Sequence, residues 1–373
     1  MKLAIICDWL TGMRGGERCL EAIGQLYPDA DIFTLIHVPG SVSKEIESHN
    51  ITVSYIQRLP GGLKKFRRYL PIFPNAIKRF NLNNYECVLS LSHSVAKGVK
   101  VPKKIPHICY CYTPMRYAWM MRDDYLKNFN RVSKFLANIL LNYLKAWDRK
   151  SSSGVTHFVA ISKNVKERIK RFYARESIVI YPPVDCNRFQ LSRENDGYYL
   201  VLSALVPYKR IDLAVEAFKN LRRKLMVVGN GPELSYLKKI KPPNVSIITN
   251  ASDTDVQQYM KKCCALIFPG EEDFGIVPLE AQASGKPVIA FGKGGALETV
   301  IDLNACQKNK ATGIFFYEQT SESLVKAVLN FEENMNKFDA NACRKNAMNF
   351  DKKIYSNSMN QSIQNIVKEH NQT

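Results

Sequence analysis

No apolar run in this chain of 373 residues approaches the eighteen or so residues that a membrane span needs. Any membrane contact therefore has to be peripheral. Ten cysteines are present, yet there is no CxxC pair, and neither Cys109-x-Cys111 nor Cys263-Cys264 has a zinc-finger partner spacing. Reduced thiols in a cytosolic protein are the reading. The first residues run straight into an apolar strand, without the charged segment and cleavage site of a signal peptide, so a cytoplasmic location is expected. Acid is scarce: 34 Asp and Glu stand against 53 Lys and Arg, a net charge of +19. Such an excess asks for a partner or surface of opposite sign. No helix-turn-helix, RNA-recognition or zinc-binding signature accompanies it, so nucleic acid is not the expected partner.

The positive charge is uneven. Residues 58–85 hold Arg58, Lys64, Lys65, Arg67, Arg68, Lys78 and Arg79 and no acid, interleaved with Leu59, Leu63, Phe66, Tyr69, Leu70, Ile72, Phe73 and Phe80. This mixture suits an anionic membrane surface. A solvated loop and helix with its own core contacts is the equal alternative on charge pattern alone.

The length is large for one hydrophobic core, which favours two domains. Strand-like runs alternate with helical stretches, the sign of an α/β chain with parallel sheets. The first series is 3–7, 32–35, 87–91, 105–110 and 157–160; the second is 199–202, 225–228, 245–248, 265–268, 288–290 and 313–316. Between them lies a turn-rich stretch, 181–197, that reads as a linker. The expected division is 1–186, 187–354 and a terminal helix segment 355–373. No internal repeat and no long low-complexity tract is visible.

The richest stretch is Glu-Glu272-Asp-Phe-Gly-Ile-Val-Pro-Leu-Glu280, seven residues separating the two numbered glutamates. An apolar strand precedes it, and Pro278 suits the first turn of a helix starting near Ile276. That places Glu280 in the first turn and Glu272 in the loop before it. The N–H groups of Phe274, Gly275, Ile276 and Val277 then point out of a positive helix end that suits phosphate. Two carboxylates flanking an anion cradle fit a ligand with phosphate in its middle and hydroxyls at both ends, such as a nucleoside diphosphate sugar.

With Ala-Ser-Gly-Lys-Pro-Val-Ile-Ala (283–290) and Gly294-Gly295 following it, this segment resembles the retaining GT-B glycosyltransferases of family four. The resemblance implies two Rossmann-like, doubly wound domains facing a cleft, the last helix (about 355–368) returning to the first domain. It implies that Glu272 binds hydroxyls of the donor sugar and Glu280 those of the ribose. Lys209, in Ser203-Ala-Leu-Val-Pro-Tyr-Lys209-Arg210, falls where the family has a lysine on the donor diphosphate. At the family's arginine position this chain has Ala204, and Arg210 is the neighbour expected to replace it. Gly229, in Gly-Asn-Gly231, lines the donor pocket by resemblance, although a tight turn explains it equally. The loop 249–253 is where the family holds the base.

Asp253-Thr-Asp255 could hold a metal, but the capping and dipole needs of the helix that follows account for both acids. No metal and no cofactor are expected. Gly15-Gly16 follow the first strand, where glycine lets backbone approach a ligand, and the resemblance places their loop near the donor phosphate, as part of the donor site, and near the acceptor. His93 closes the strand at 87–91 and should point at the ligand crevice. Tyr112 stands where many relatives have a histidine beside the reacting carbon, and with a pKa near 10 it is a poor base.

The resulting expectation is a metal-independent, retaining hexosyltransferase that uses a nucleotide sugar, GDP-mannose first and a UDP-sugar second. The resemblance is nearest to bacterial O-antigen mannosyltransferases. It points to a lipid-linked or glycan acceptor in lipopolysaccharide or other cell-surface polysaccharide synthesis, at the inner face of the plasma membrane. Ala204 and Tyr112 motivate the alternative, a non-catalytic nucleotide-sugar-binding subunit. A basic membrane- or nucleic-acid-binding scaffold, the third reading, would not need the glutamate pair.

Overall fold

A computed structural model of the chain describes residues 1–122, 126, 129–305 and 310–372. These form two compact units, Met1–Pro183 with Tyr355–Thr373, and Val184–Ile354. Each is a parallel sheet flanked by helices.

The first unit's sheet has the order β3-β2-β1-β4-β5-β6-β7, all pairs parallel. Its strands are β1 (Leu3–Cys7), β2 (Asp31–Thr34), β3 (Ile51–Val53), β4 (Cys87–Ser92), β5 (His107–Cys111), β6 (His157–Ala160) and β7 (Ser177–Val179). In β1, β4 and β5 every residue is buried, because helices cover both faces, and that is why they read as unbroken apolar runs. Edge strands β3 and β7 are only three residues each and half exposed, so they carry no such run and escape a search for one. Strand β5 begins at His107, later than the sequence suggests, behind Pro106, whose missing N–H cannot enter a ladder.

The second sheet runs β10-β9-β8-β11-β12-β13, also parallel. Its strands are β8 (Tyr198–Leu202), β9 (Lys224–Val228), β10 (Val245–Ile248), β11 (Leu266–Phe268), β12 (Val288–Phe291) and β13 (Gly313–Phe316). Five helices bear on the site and its surroundings: α1 (Gly15–Leu26), α2 (Arg131–Ser151), α3 (Ile211–Leu221), α4 (Asp253–Lys262) and α5 (Ile276–Ala283). The terminal helix α6 (Lys352–His370) belongs to the first unit from Tyr355 onward. There the Tyr355 ring packs 5.7 Å from Tyr110, and Asn360 accepts a hydrogen bond from the Tyr27 hydroxyl at 2.8 Å.

Strand order reverses between β1 and β4 in one sheet and between β8 and β11 in the other. In open α/β sheets the crevice beyond the carboxyl ends of such strands is where ligands bind.

Among residues 58–80 the structure favours the second of the two sequence readings, a segment with its own core contacts. Phe66 and Phe73 are buried in the core cluster of the first unit, with Leu59, Tyr69, Leu70, Ile72 and Phe80 packed against it. Of the apolar side chains expected at a surface there, Leu63 alone is exposed, while Lys64, Lys65, Arg67 and Arg68 stay in solvent. The aromatics serve the core, and the charges are left as a solvated rim.

All nine described cysteines are free and, apart from half-buried Cys264, buried. No described helix is long and apolar enough to cross a membrane.

Candidate active site

In the second unit, β8 leads into a short 3-10 turn, Pro207–Lys209, and then α3. Beyond β11 the chain continues through Gly270 and Glu272 to α5. These two loops meet at the reversal of strand order, where the Lys209 ammonium pairs with the Glu272 carboxylate. Both side chains are partly open to solvent, at 15% and 19% exposure.

The backbone of Glu272 is fixed from the β12 side. It bridges Gly294, and its carbonyl accepts from the Gly295 N–H at 2.8 Å. A Cβ on Gly294 would overlap the Glu272 carbonyl oxygen, and one on Gly295 would overlap the Phe274 backbone. Only glycine lets the two loops lie this close.

Helix α5 starts at Ile276, as the sequence predicts, after Gly275 at φ 89°, a left-handed conformation that favours glycine. Ile276 and Val277 open its first turn, whose N–H groups lack intrahelical partners. Pro278 is the third helical residue and has no N–H to satisfy. Glu280 is the fifth, so it lies one residue past the first turn in which the sequence reading placed it. Phe274 is buried, its ring 5.7 Å from that of Phe350.

Arg210 sits at φ 53° as the residue before α3. Its guanidinium approaches the Asp212 carboxylate at 3.3 Å and donates to Gln319 at 3.3 Å. Gln319 in turn donates to the carbonyl of Pro269, just beyond β11. Arg210 is therefore near the carboxyl edge of the sheet, but its charge is matched by Asp212. Ala204 is exposed. Gly229 presses on the same loop: a Cβ there would overlap the Ser203 carbonyl oxygen, and Leu205 N–H donates to the Asn230 carbonyl at 2.9 Å.

At α4 the N-cap is Ser252. Its hydroxyl accepts from the Asp255 N–H at 3.1 Å while the Asp255 carboxylate accepts from the Ser252 N–H at 2.9 Å, a reciprocal box. Asp253 pairs with Arg188 at 2.8 Å. Asp255 thus completes the cap as the capping reading has it, while Asp253, also in the first turn, is not the cap and is held by Arg188 instead.

In the first unit, Asp8 directly follows β1, fully buried, and sequence inspection missed it. One carboxylate oxygen accepts from the N–H groups of His93 at 2.8 Å and Ser94 at 2.9 Å; the other accepts from Val95 at 2.6 Å and Ala96 at 2.8 Å. His93 Nδ1 lies 3.0 Å from the same Asp8. Burial pushes the Asp8 carboxyl up, but the His93 ring and these N–H groups outweigh it and hold it below the ordinary carboxylate range. An acid directly after an all-apolar strand, before a glycine-rich turn, was the available signal.

Trp9 packs edge-on to His93 at 4.5 Å, and the His93 and Tyr112 rings are 6.3 Å apart. Tyr112 donates its hydroxyl proton to the Gly16 carbonyl at 2.8 Å. A Cβ on Gly16 would stand 3.2 Å from the Tyr112 ring. Burial raises the phenol well above its usual pKa, so Tyr112 is a neutral tie between β5 and the start of α1, where Gly15 and Gly16 lie. The ends of β1, β4 and β5 thus gather Asp8, His93 and Tyr112.

The comparisons with known proteins agree with this architecture. A family model described as Glycosyltransferase Family 4 matches residues 13–188, and one described as Glycosyl transferases group 1 matches residues 185–350. Together the two models span residues 13–350, and the chain is a glycosyltransferase of GT-B fold.

This glycosyltransferase is 30% identical over 174 residues to an uncharacterized glycosyltransferase of Methanocaldococcus jannaschii, covering 44% of this chain and 49% of that protein. It is 26% identical over 318 residues to the alpha-1,3/1,6-mannosyltransferase ALG2 of Kluyveromyces lactis, covering 69% of this chain and 61% of the relative. With the O-antigen chain mannosyltransferase RfbU of Salmonella typhimurium it shares 28% over 145 residues, 36% of this chain and 41% of the relative. The chain thus spans between 41% and 61% of the length of these curated relatives. Among solved structures, Anabaena Alr3699/HepE in complex with UDP superimposes with a TM-score of 0.68 at 17% identity, over 98% of this chain and 100% of the other.

Proposed function

We propose that this chain is a retaining, metal-independent hexosyltransferase that moves mannose from GDP-mannose to a lipid-linked glycan at the inner face of the plasma membrane, in lipopolysaccharide or other cell-surface polysaccharide synthesis. The observation that carries the reading is the Lys209–Glu272 pair, partly open to solvent at the strand reversal, beside the N-terminus of α5. A donor diphosphate would take the Lys209 ammonium and the first N–H groups of α5, leaving Glu272 for sugar hydroxyls and Glu280 for the ribose. Catalysis is then electrostatic stabilisation of the departing diphosphate together with positioning. The leaving diphosphate helps to remove the acceptor proton on the face it departs from. His93 stands on the acceptor side, its Nδ1 oriented by Asp8. That ALG2 and RfbU are mannosyltransferases favours mannose, and the UDP in the HepE complex keeps a UDP-sugar as second donor.

A second reading is a nucleotide-sugar-binding subunit without turnover. Two observations favour it: Arg210 is matched by Asp212 rather than left for a diphosphate, and Tyr112 is neutral and tied to Gly16.

Thermal-shift measurements against GDP-mannose, UDP-glucose and dTDP-sugars test the donor, since a ligand of the native state raises the melting temperature. The largest shift is expected for GDP-mannose, and transfer assayed with it should survive EDTA. Binding without any transfer to a lipid-linked acceptor would select the second reading.

A further inference from the structure

We propose that α2 docks the first unit on an anionic lipid surface by laying the outer face of residues 132–143 into the headgroup boundary. Val132, Phe135, Leu136, Ile139 and Tyr143 are between 50% and 71% exposed. At 3.6 residues per turn they fall within an arc of about 100° and extend for about 17 Å. Leu141, Leu144 and Trp147 form a separate, buried side of the same helix. The helix therefore has two apolar faces, one spent on the core and one turned outward.

Charge complementarity selects lipid as the occupant. On α2, Lys150 continues the line of the outward face and Arg131 and Arg149 lie along one edge of it, while the single acid of the helix, Asp148, is buried in an ion pair with Lys97. Leu144 and Trp147 of α2 share one core cluster with Phe66 and Phe73, and the Lys78 ammonium lies over the Trp147 ring at 5.9 Å. The exposed Lys64, Lys65, Arg67 and Arg68 thus flank a segment that packs on the same core as the inner side of α2. Apolar side chains beside cations, on a chain of net charge +19, match an interfacial helix that inserts its apolar side and holds acidic headgroups with its rim. The inference rests on the lipid-linked-acceptor reading only for its purpose. Docking itself is measurable with neither donor nor acceptor, so its failure is distinguishable from failure of the transfer assay.

The test is flotation of the full chain with vesicles of phosphatidylcholine and phosphatidylglycerol. Wild type should float, with part of the binding surviving high salt because apolar insertion is not screened. F135S/L136S/I139S should lower the vesicle affinity by more than about tenfold at every salt concentration, while circular dichroism and the donor-induced thermal shift remain at wild-type values. K64S/K65S/R67S/R68S should weaken binding at low salt and leave the salt-resistant part. In an I139W variant, brominated lipid should quench the added fluorescence. Unchanged flotation of the triple variant overturns the proposal. So does a wild-type dimer that the triple variant converts to monomer with no vesicle binding in either, because the face would then be covered by a second copy.

Discussion

Each unit holds a lysine–carboxylate pair a few residues beyond a central strand, and the two pairs have opposite surroundings. Lys97, after β4, is 2% exposed and its partner Asp148 is 0% exposed. Asp148 also accepts from the Trp119 indole N–H at 2.8 Å and the Tyr173 hydroxyl at 2.7 Å, and the Lys97 ammonium lies over the rings of Trp147 and Tyr173. Its lone pairs are taken by protein, and no room is left for a ligand. Lys209 and Glu272 keep solvent access and stand beside the first N–H groups of α5, which lack intrahelical partners. A pair of the first kind positions helices; one of the second kind can exchange its partner for a phosphate or a hydroxyl. Sequence proximity to a strand end does not separate them, whereas burial and the remaining hydrogen bonds do.

Breaking the buried pair should have the largest effect on stability. Lys97→Met leaves Asp148 charged and fully buried, a loss of about 3–5 kcal/mol, measured by urea unfolding. Lys209→Met should cost less, about 1 kcal/mol in the same measurement, because this pair keeps solvent access and Glu272 stays hydrated when its partner is removed. Comparable destabilisation by both would remove the distinction.

Glu272→Ala comes next in size, now on rate. It should lower transfer by about 10²–10³-fold, the scale found when one group that stabilises a transition state is removed. Nucleotide diphosphate affinity should stay near wild type, since the proposed role of Glu272 is on the sugar. Glu280→Ala should do the converse, weakening nucleotide binding by about 1–3 kcal/mol. Isothermal titration with GDP and a transfer assay separate the two, and equal, negligible effects of both variants would sink the assignment.

The same contrast explains what was legible in the sequence. Glu272, Gly275 and Glu280 fall within nine residues of one strand–loop–helix passage, so their spacing could be read directly, down to the helix start at Ile276. The first unit's constellation joins Asp8 to His93 and Gly16 to Tyr112, contacts across 85 and 96 residues. Sheet order creates these, and no local pattern announces them. The buried strands were visible as apolar runs, while β3 and β7 were too short. The aromatics at 66 and 73 could be surface anchors or core on sequence alone because basic neighbours surround them, and only the packed core shows which way they turn.

Asp8 gives a sharper view of the first unit. Its folded-state pKa is below the unfolded value, so its contribution to stability is full above about pH 4 and declines as pH falls through the lowered value. Asp8→Asn should cost about 1–3 kcal/mol at neutral pH by weakening charge-assisted hydrogen bonds to the 93–96 backbone. The difference from wild type should shrink on acidification, as read by urea unfolding from about pH 6 to pH 2. A gap independent of pH would show that the charge of Asp8 is not what orders this turn.

The smallest effect is expected at Arg210, where the two kinds of charge meet. Its guanidinium lies near the carboxyl edge of the second sheet, as a substitute for the missing arginine at Ala204 would require, yet Asp212 and Gln319 already hold it. Moving to a diphosphate would mean giving up these contacts, so its net contribution to donor binding should be below about 1 kcal/mol. Arg210→Ala is then expected to keep donor affinity within about fivefold of wild type, with Asp212→Asn tightening binding slightly by freeing the guanidinium. Titration of both variants with the donor decides the matter. A loss of tenfold or more on Arg210→Ala would mean that the Asp212 contact opens on binding and that Arg210, with Lys209, neutralises the diphosphate.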